Sequence, residues 1–335
     1  MPSIAVFGAG SIGCYVGGRL AAAGQPVLLI GRQRMAEVVA AEGLTLSDYH
    51  GWSTRLAPEH IRFSTEASAI SSADLVLVTV KSADTEAAAQ SLQPHLKRSA
   101  IVVSLQNGLH NAEHLKQRLP QHTVLAGMVP FNVAQQAAGH FHQGSEGGLA
   151  IEDSPLIQAF VPAFEAAGLP LERHADIRPV QWAKLLFNLN NAVNALSGLP
   201  LKTELSQRAY RRVLAAAQRE GIALLQARQQ KLAKLSPLPA HWVPALLEVP
   251  DAVFRLAANK MLAIDPLARS SMQDDLGAGR HTEIDYLQGE IIRMAKAAGQ
   301  SAPVNEKLVS LIRAAEAGDH RKWSGEALLA AIGLR

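Results

Sequence analysis

Residues 4–13 read IAVFGAGSIG and decide the fold of the first half of the chain. The apolar run at 4–7 predicts a strand, and the glycine pattern that follows it opens a predicted helix, Ile12–Ala23. In such a turn the first glycine allows a tight bend, the second lets the backbone approach a pyrophosphate, and the third lets the helix pack on the sheet. Amides at the helix start can then hold the anion. The pattern predicts dinucleotide binding at Gly8, Ala9, Gly10, Ser11, Ile12 and Gly13.

Outward from this turn, short β-branched runs alternate with helical ones. Strands are predicted at Val27–Ile30, Asp74–Val80, Ala100–Leu105, Val124–Val129, Gly148–Ile151 and Gly168–Arg173, and a helix at Ala112–Arg118. This alternation is typical of βαβ units in a parallel sheet. The segment Thr45–Phe63 predicts a short hairpin insertion. Residues 1–175 are therefore expected to form an α/β domain with a Rossmann-type, doubly wound sheet.

Beyond Asp176 the β-branched runs disappear and Ala/Leu-rich helical patterns replace them. Helices are predicted at Val180–Leu196, Gln207–Gln230 and His281–Ala298, with a Pro-rich interruption at Leu235–Pro250. The length of 335 residues exceeds what one core usually organises. Residues 176–335 are therefore expected to form a separate, all-helical domain.

Composition narrows the class of protein. The chain is 48% hydrophobic and 18% charged, which excludes a disordered chain. Its net charge is only +3 and no basic stripe occurs, so the expected partners are small anions and not nucleic acid. Cys14 is the single cysteine, and the twelve histidines show no ligand spacing beside carboxylates, so no disulfide or metal is expected. With no apolar run of membrane length, we expect a cytoplasmic protein.

Cofactor choice is decided after the second predicted strand, where the chain reads LLIGRQR. Arg32 comes about twenty residues after the glycines in the sequence. In proteins that bind NAD, an acidic residue at this spacing accepts hydrogen bonds from the ribose hydroxyls. A guanidinium suits a 2′-phosphate, so Arg32, with Arg34 nearby, predicts NADPH. Lys81 and Asn107 each follow a later buried strand and are expected beside the nicotinamide half of the cofactor. A strand-end lysine and an Asn-Gly turn also have purely structural explanations.

The segment 182–197, WAKLLFNLNNAVNALS, predicts a buried helix with polar side chains. At about 100° per residue, Lys184, Asn188 and Asn191 share one face, and Asn190 and Asn194 lie to one side. Because a buried unpaired amide costs about 1–3 kcal/mol, this face needs a polar partner. A bound substrate is one interpretation, and a satisfied core network is the other.

The segment 269–286, RSSMQDDLGAGRHTEIDY, contains a further cluster of polar residues. Ser270 and Ser271 can donate to a substrate carboxylate. Thr282 and Glu283 predict a helix start, where the helix dipole would favour the charged carboxylate. Capping alone would explain Thr282 but not the paired serines.

Together these segments resemble the ketopantoate reductase family, the 2-dehydropantoate 2-reductases. The glycine turn, Arg32, the VKS and QNG turns, KLLFN and SSMQDD…RHTEIDY stand in the family's order along essentially the whole chain. The resemblance implies a Rossmann domain followed by a helical domain, with the site in the cleft between them. It assigns the proton donor to Lys184, substrate contacts to Asn188 and Ser271, and the cleft glutamate to Glu283. Lys81 and Asn107 match cofactor-side and substrate-side positions.

Two departures border the expected substrate pocket. The family's second helix asparagine falls on Ala192 here, so Asn191 and Asn194 compete for that role and a helical bulge is expected. Where the family often has asparagine before Gly-Glu, this chain reads LKTE at 201–204. The stretch Gln226–Leu262 is also longer than in compact members.

The resemblance implies NADPH-dependent reduction of 2-dehydropantoate, or a close 2-oxo acid, to the 2-hydroxy acid, as in pantothenate biosynthesis. Lys184 would donate the proton, and Glu283 would accept a hydrogen bond from the substrate or orient Lys184 or a ribose. The alternatives are a related hydroxyacid or polyol-phosphate dehydrogenase and a non-catalytic NADPH sensor. A homodimer through the helical domain is expected if its apolar faces are not internal core.

Overall fold

The computed structural model describes residues 2–235, 238–257, 265, 266 and 268–334. The chain divides into two compact units, Met1–Ile177 and Arg178–Arg335. Part of the long stretch Gln226–Leu262 noted in the sequence lies outside the described residues.

The first unit contains two sheets. Its strands are β1 Ile4–Phe7, β2 Val27–Ile30, β3 Leu44–Asp48, β4 Ser53–Leu56, β5 Arg62–Ser64, β6 Leu75–Val78, β7 Ile101–Ser104, β8 Thr123–Met128, β9 Val133–Ala137, β10 His140–Gln143, β11 Leu149–Glu152 and β12 Leu171–His174. The main sheet has the order β12-β11-β8-β7-β6-β1-β2-β5. Its pairs are parallel apart from β11 with β8, which is antiparallel.

The central strands of the main sheet are buried on both faces. Its helices are α1 Ser11–Ala22, α2 Gln33–Glu42, α3 Thr85–Leu92, α4 Asn111–Arg118 and α5 Val161–Ala166. Val6 and Leu77 pack into one core with side chains of α1, whereas Ala5 and Val76 face a second core that includes Leu115 of α4. Strands buried on both sides read as continuous apolar runs. The predicted doubly wound α/β fold is confirmed.

A four-stranded sheet with the order β4-β3-β10-β9 replaces the predicted insertion. Strands β3 and β4 do form an antiparallel hairpin, but β3 also pairs in parallel with β10. The prediction is wrong at its end, because β5 belongs to the main sheet beside β2. The strands β9 and β10 read VAQQA and HFHQ, and their short polar pattern carries little strand signal.

The second unit is helical throughout its described residues. Its helices are α6 Arg178–Asn188, α7 Asn190–Ser197, α8 Leu201–Leu205, α9 Arg208–Ala227, α10 Val243–Leu247, α11 Asp251–Ala257, α12 Ser271–Gly277, α13 Gln288–Ala297, α14 Pro303–Glu316 and α15 Gly325–Ala331. The single helix predicted at Val180–Leu196 is two helices that meet at Leu189. The sequence predicted a bulge in this helix without placing it at a residue, and the structure has this break. In the described ranges no helix combines the length and apolarity needed to cross a bilayer.

Arg211 of α9 ties the helices around it together. Its guanidinium is fully buried, donates to the carbonyls of Leu205, Leu247 and Val249, and lies 2.9 Å from the Asp251 carboxylate. It also stacks 4.1 Å over the ring of Phe254. A buried cation persists only with such a full set of partners. Arg211 therefore holds α8, α10 and α11 against α9.

We predict that Arg211→Ala lowers the free energy of unfolding by about 3 kcal/mol or more, because it leaves three buried or part-buried carbonyls without their donor, at about 1–3 kcal/mol each. Urea denaturation followed by circular dichroism measures the change. Arg219→Ala is the matched control, since Arg219 pairs with Glu248 at the surface and should cost at most about 1 kcal/mol. Equal losses in the two variants would contradict the assignment.

Candidate nucleotide and substrate sites

The glycine turn between β1 and α1 is built as the sequence predicts. Gly8 has a φ of +117°, and a Cβ placed there would lie 2.6 Å from the backbone nitrogen of Val80. A Cβ on Gly13 would lie 2.2 Å from the carbonyl oxygen of Gly8. Contacts below 3 Å are not tolerated by real side chains. The first and third glycines thus let the strand, the turn and the helix approach each other closely.

Gly10 has the opposite environment. Apart from its chain neighbours, no heavy atom of the described residues lies within 4 Å of a Cβ built on it, so this glycine faces open space. The first helical bond of α1 runs from the Cys14 amide to the Gly10 carbonyl, which leaves the amides of residues 11–13 without intrahelical partners. The first turn of α1 carries no acidic side chain. These features fit the pyrophosphate of a dinucleotide.

Arg32 and Arg34 follow β2 at the same edge of the sheet as the glycine turn. Arg32 stands directly before α2, with a side chain that is 87% exposed, and Arg34 is exposed as well. The Arg32 guanidinium lies 3.6 Å from the carboxylate of Asp84, which follows β6. The Arg32 guanidinium is thus a cation at the position that would contact a 2′-phosphate.

Lys81 and Asn107 lie in two turns that a buried polar network ties together. The Ser82 hydroxyl donates to the Asn107 carbonyl at 2.7 Å, and Asn111 Nδ2 donates to the same carbonyl. Gln106 Nε2 donates to the Lys81 carbonyl at 3.5 Å. The turns after β6 and β7 are therefore held in a fixed relation. The sequence did not single out Ser82 or Asn111, whose roles follow from contacts between residues far apart in the chain.

Lys184 and Asn188 lie one turn apart on α6. Lys184 is partly accessible and Asn188 is buried. The protein atoms packed around Lys184 still desolvate its ammonium, which disfavours the charged form and lowers the pKa of Lys184 to about 8. At neutral pH this lysine is still mostly protonated but parts with its proton far more readily than an ordinary lysine.

The junction at Leu189 is stabilised by two buried glutamines. Gln288 Nε2 donates to the Leu189 carbonyl at 2.7 Å, and Gln218 Nε2 donates to the Leu186 carbonyl at 3.1 Å. Side chains of α13 and α9 thus satisfy backbone oxygens where the helix is interrupted. The interruption sets the direction in which the asparagines of α7 point relative to Lys184.

Asn194 takes a structural role, which conflicts with the predicted substrate contact. It has no exposed surface, its Nδ2 donates to the Leu199 carbonyl, and its Oδ1 accepts from the Ser270 amide at 3.0 Å. Both ends of the amide are therefore used inside the core. Asn191 is partly exposed instead.

Glu204 on α8 is a buried acid that the sequence did not single out. It is fully buried, and its Oε2 accepts from Asn190 Nδ2 at 3.0 Å. Glu204 Oε1 and Asn190 Oδ1 are buried without a hydrogen-bond partner among the described residues. Desolvation raises the pKa of Glu204 to about 8, although the Asn190 amide and the Arg211 guanidinium lower it. Glu204 is therefore mostly protonated at neutral pH. The one signal in the sequence was an acidic residue in the segment 201–204, which differs from the family pattern.

The polar segment 269–286 differs from its prediction in two respects. Ser270 is buried, caps α12 through the Gln273 amide and donates to the Asn191 carbonyl at 3.2 Å, whereas Ser271 is exposed at the first position of α12. The helix expected to start at Thr282 and Glu283 starts at Gln288, after a 3-10 turn at Ile284–Tyr286. The Thr282 hydroxyl donates to Glu316 of α14 and thereby draws this segment away from a helical path. Glu283 precedes only the short 3-10 turn and is half-buried.

Comparison with known proteins agrees with these features. The family model described as ketopantoate reductase PanE/ApbA matches residues 4–155, and its C-terminal companion matches residues 176–316. A 2-dehydropantoate 2-reductase of Halobacterium salinarum is 30% identical over 93% of this chain and 98% of its own length. One of Mycobacterium tuberculosis is 26% identical over 94% of this chain and 98% of its own length.

Solved structures share the architecture. A PanE/ApbA family ketopantoate reductase from Ralstonia eutropha superposes with a TM-score of 0.79 at 34% identity, covering 94% of this chain and 98% of its own. A D-mandelate dehydrogenase solved with NADH and anilino(oxo)acetate has a TM-score of 0.77 at 21% identity, covering 94% and 98%, which shows the shared fold.

The fold, the glycine turn and these matches define a nicotinamide-dependent oxidoreductase. Within that class, the two family matches and the relatives that cover nearly the whole chain are decisive. The chain belongs to the ketopantoate reductase family.

We predict that Gly13→Ala and Gly10→Ala separate stability from nucleotide binding. Gly13→Ala forces a clash and should lower the free energy of unfolding by about 1–3 kcal/mol, as overpacking does. Gly10→Ala meets only open space, so it should leave stability unchanged while weakening NADPH binding at least tenfold. Thermal unfolding and calorimetry measure the two effects. Unchanged NADPH affinity in Gly10→Ala would contradict the placement of the pyrophosphate.

We predict that Glu204 makes stability fall as pH rises. Unfolded Glu204 ionises near its ordinary pKa of 4.5, whereas folded Glu204 keeps its proton up to about 8. The folded state therefore binds more protons between these values, and stability falls by up to about 1.4 kcal/mol per pH unit.

Glu204→Gln removes the ionisable group and with it this pH dependence. The free energy of unfolding of the variant, compared with that of the parent protein, should therefore rise steadily from pH 5 to pH 8. Denaturation midpoints at several pH values test this. Glu306→Gln, at an exposed position of α14, is the control and should show no such trend. Parallel pH curves for Glu204→Gln and the parent would refute the assignment.

Proposed function

We propose that this protein reduces 2-dehydropantoate, or a close 2-oxo acid, to the 2-hydroxy acid with NADPH. The observation that carries the proposal is Lys184, at the family position on an asparagine-rich helix and with its pKa lowered by burial. The match of both family models supports the reaction class. The reaction consumes a hydride and a proton, so the chain needs a nucleotide site and an acid.

The first unit supplies the nucleotide site of this proposal. The amides at the start of α1 and the open space at Gly10 suit the pyrophosphate. Arg32 is the candidate for the 2′-phosphate, because a guanidinium can donate two parallel hydrogen bonds to a phosphate and offers no acceptor to a hydroxyl. Lys81 and Asn107, fixed by their shared network, are the candidates for the nicotinamide half. When bound, NADPH supplies the hydride that goes to the ketone carbon.

The second unit supplies the acid and the polar contacts of the substrate. Charge grows on the former carbonyl oxygen as the ketone is reduced, and the Lys184 ammonium stabilises it and then donates the proton. Asn188 and the partly exposed Asn191 hold the polar groups of the substrate. Asn191 replaces Asn194 in this role, since Asn194 is used inside the core.

Two further contacts complete the proposal. The exposed Ser271 donates to the substrate carboxylate, close to the first amides of α12. Glu283 accepts a hydrogen bond from the substrate hydroxyl or orients Lys184 or a ribose. Neither contact depends on the helix start that the sequence predicted.

We predict that kcat/KM for reduction falls about tenfold per pH unit above pH 8, because Lys184 loses its proton there. The loss of NADPH absorbance, measured with a panel of 2-oxo acids that includes 2-dehydropantoate, follows the reaction. Lys184→Ala should lower kcat by about 10²–10⁴, the usual contribution of a general acid. Lys307→Ala, at an exposed position of α14, is the matched control and should retain full activity.

Undiminished turnover in Lys184→Ala would remove Lys184 as the acid. A panel without any turnover would overturn the reductase proposal. Saturable activity on 3-hydroxy or phosphorylated substrates would instead favour a related dehydrogenase, and tight NADPH binding without oxidation would favour a sensor. A homodimer stays a prediction; a ketopantoate reductase of Staphylococcus aureus with the same fold, 19% identical, is described as dimeric.

A further inference from the structure

Asp84 stands across the glycine turn from Arg32. The order β6-β1-β2 places the turn after β1 between the segments that follow β6 and β2. The Gly8 amide donates to the Ile30 carbonyl at the end of β2, and the Thr79 amide, just past β6, donates to the Phe7 carbonyl. Parallel strands all end at the same edge of the sheet, and there Arg32 Nη2 meets Asp84 Oδ2 at 3.6 Å. The ion pair therefore spans the mouth of the predicted nucleotide site.

The carboxylate of Asp84 makes no bond that caps a helix. Asp84 is the last residue of a 3-10 turn, Ser82–Asp84, that runs directly into α3, so its backbone does not have the extended conformation of a capping residue. Its neighbours Ser82 and Thr85 are both buried, and the Thr85 hydroxyl oxygen lies 2.9 Å from both the Ser82 carbonyl oxygen and Asn111 Oδ1, each an acceptor for its one proton. The backbone of Asp84 is thus fixed, with its carboxylate toward Arg32.

Arg32 is held equally close to the turn. A Cβ on Gly31 would lie 2.6 Å from the Cβ of Ala9, so only glycine lets the end of β2 run this close to the nucleotide loop. The Arg32 and Asp84 side chains are 87% and 49% exposed, and a pair this exposed contributes little to folding. We therefore expect the Arg32–Asp84 pair to affect the binding of a charged ligand beside it more than it affects folding.

We propose that Asp84 is a specificity-determining residue that competes with the 2′-phosphate of NADPH for Arg32. A carboxylate paired with Arg32 occupies the cation that the 2′-phosphate would bind. A carboxylate at this edge also accepts hydrogen bonds from ribose hydroxyls. Arg32 therefore favours NADPH, Asp84 favours NADH, and the pair sets how strongly the enzyme discriminates between them. The inference rests on the proposed function, since it places a dinucleotide at the glycine turn.

Calorimetry with 2′,5′-ADP and 5′-AMP tests this without turnover, because the two probes differ only in the 2′-phosphate. The measured quantity is the ratio of the Kd of 5′-AMP to that of 2′,5′-ADP. Asp84→Asn should raise this ratio about three- to tenfold, and Arg32→Ala should bring it to about one. Asp153→Asn is the control, because Asp153 pairs with Arg173 at the same 3.6 Å and its side chain is as exposed as that of Asp84.

Combining the variants separates competition from simple charge repulsion. In the Arg32→Ala background, Asp84→Asn should have a much smaller effect, because the cation over which carboxylate and phosphate compete is gone. An unchanged ratio in Asp84→Asn, or an equal gain in both backgrounds, would overturn the inference. If 2′,5′-ADP bound no tighter than 5′-AMP even in Asp84→Asn, the NADPH proposal itself would fail together with the inference. Loss of oxo acid reduction with these ratios intact would instead fault only the reductase proposal.

Discussion

The cost of leaving a polar group unpaired inside the protein governs both candidate sites. A buried donor or acceptor without a partner costs about 1–3 kcal/mol, a large part of the net stability of a domain. In the first unit Ser82 and Asn111 meet this requirement by bonding to the Asn107 carbonyl. In the second, Gln218 and Gln288 satisfy carbonyls beside the junction at Leu189. The same bonds that satisfy these carbonyls also hold the functional segments in place.

Burial tunes two ionisable groups of the helical unit in opposite directions. It lowers the pKa of Lys184 and raises that of Glu204, because a low-dielectric interior disfavours an ammonium and a carboxylate alike. Both groups end near 8, one as a cation ready to release its proton and the other as a neutral acid. Glu204 anchors Asn190, the first residue of α7, and so helps to set where the following asparagines lie.

Much of this architecture could be predicted from the sequence, and the failures have physical causes. The strands at Ile4–Phe7 and Val27–Ile30 were predicted to the residue, since both are apolar runs bounded by turn residues. Strands β9 and β10 were missed, because they are short, polar and defined by pairing with distant segments. The helix expected at Thr282 starts later, because Glu316, 34 positions on, binds the Thr282 amide and hydroxyl. Asn194 looked like a substrate ligand until its two backbone partners were located.

The sequence by itself determined the two-part organisation, the glycine turn and the position of the lysine on an asparagine-rich helix. These depend on local spacing and on periodic burial, which neighbouring residues specify. The tertiary structure alone decided which polar side chains serve the core and which stay accessible, because that depends on partners far along the chain. It assigned Asn194 to the core, buried Glu204 beside Asn190, and brought Asp84 to Arg32. Residues 52 positions apart meet there because parallel strands end at one edge of the sheet.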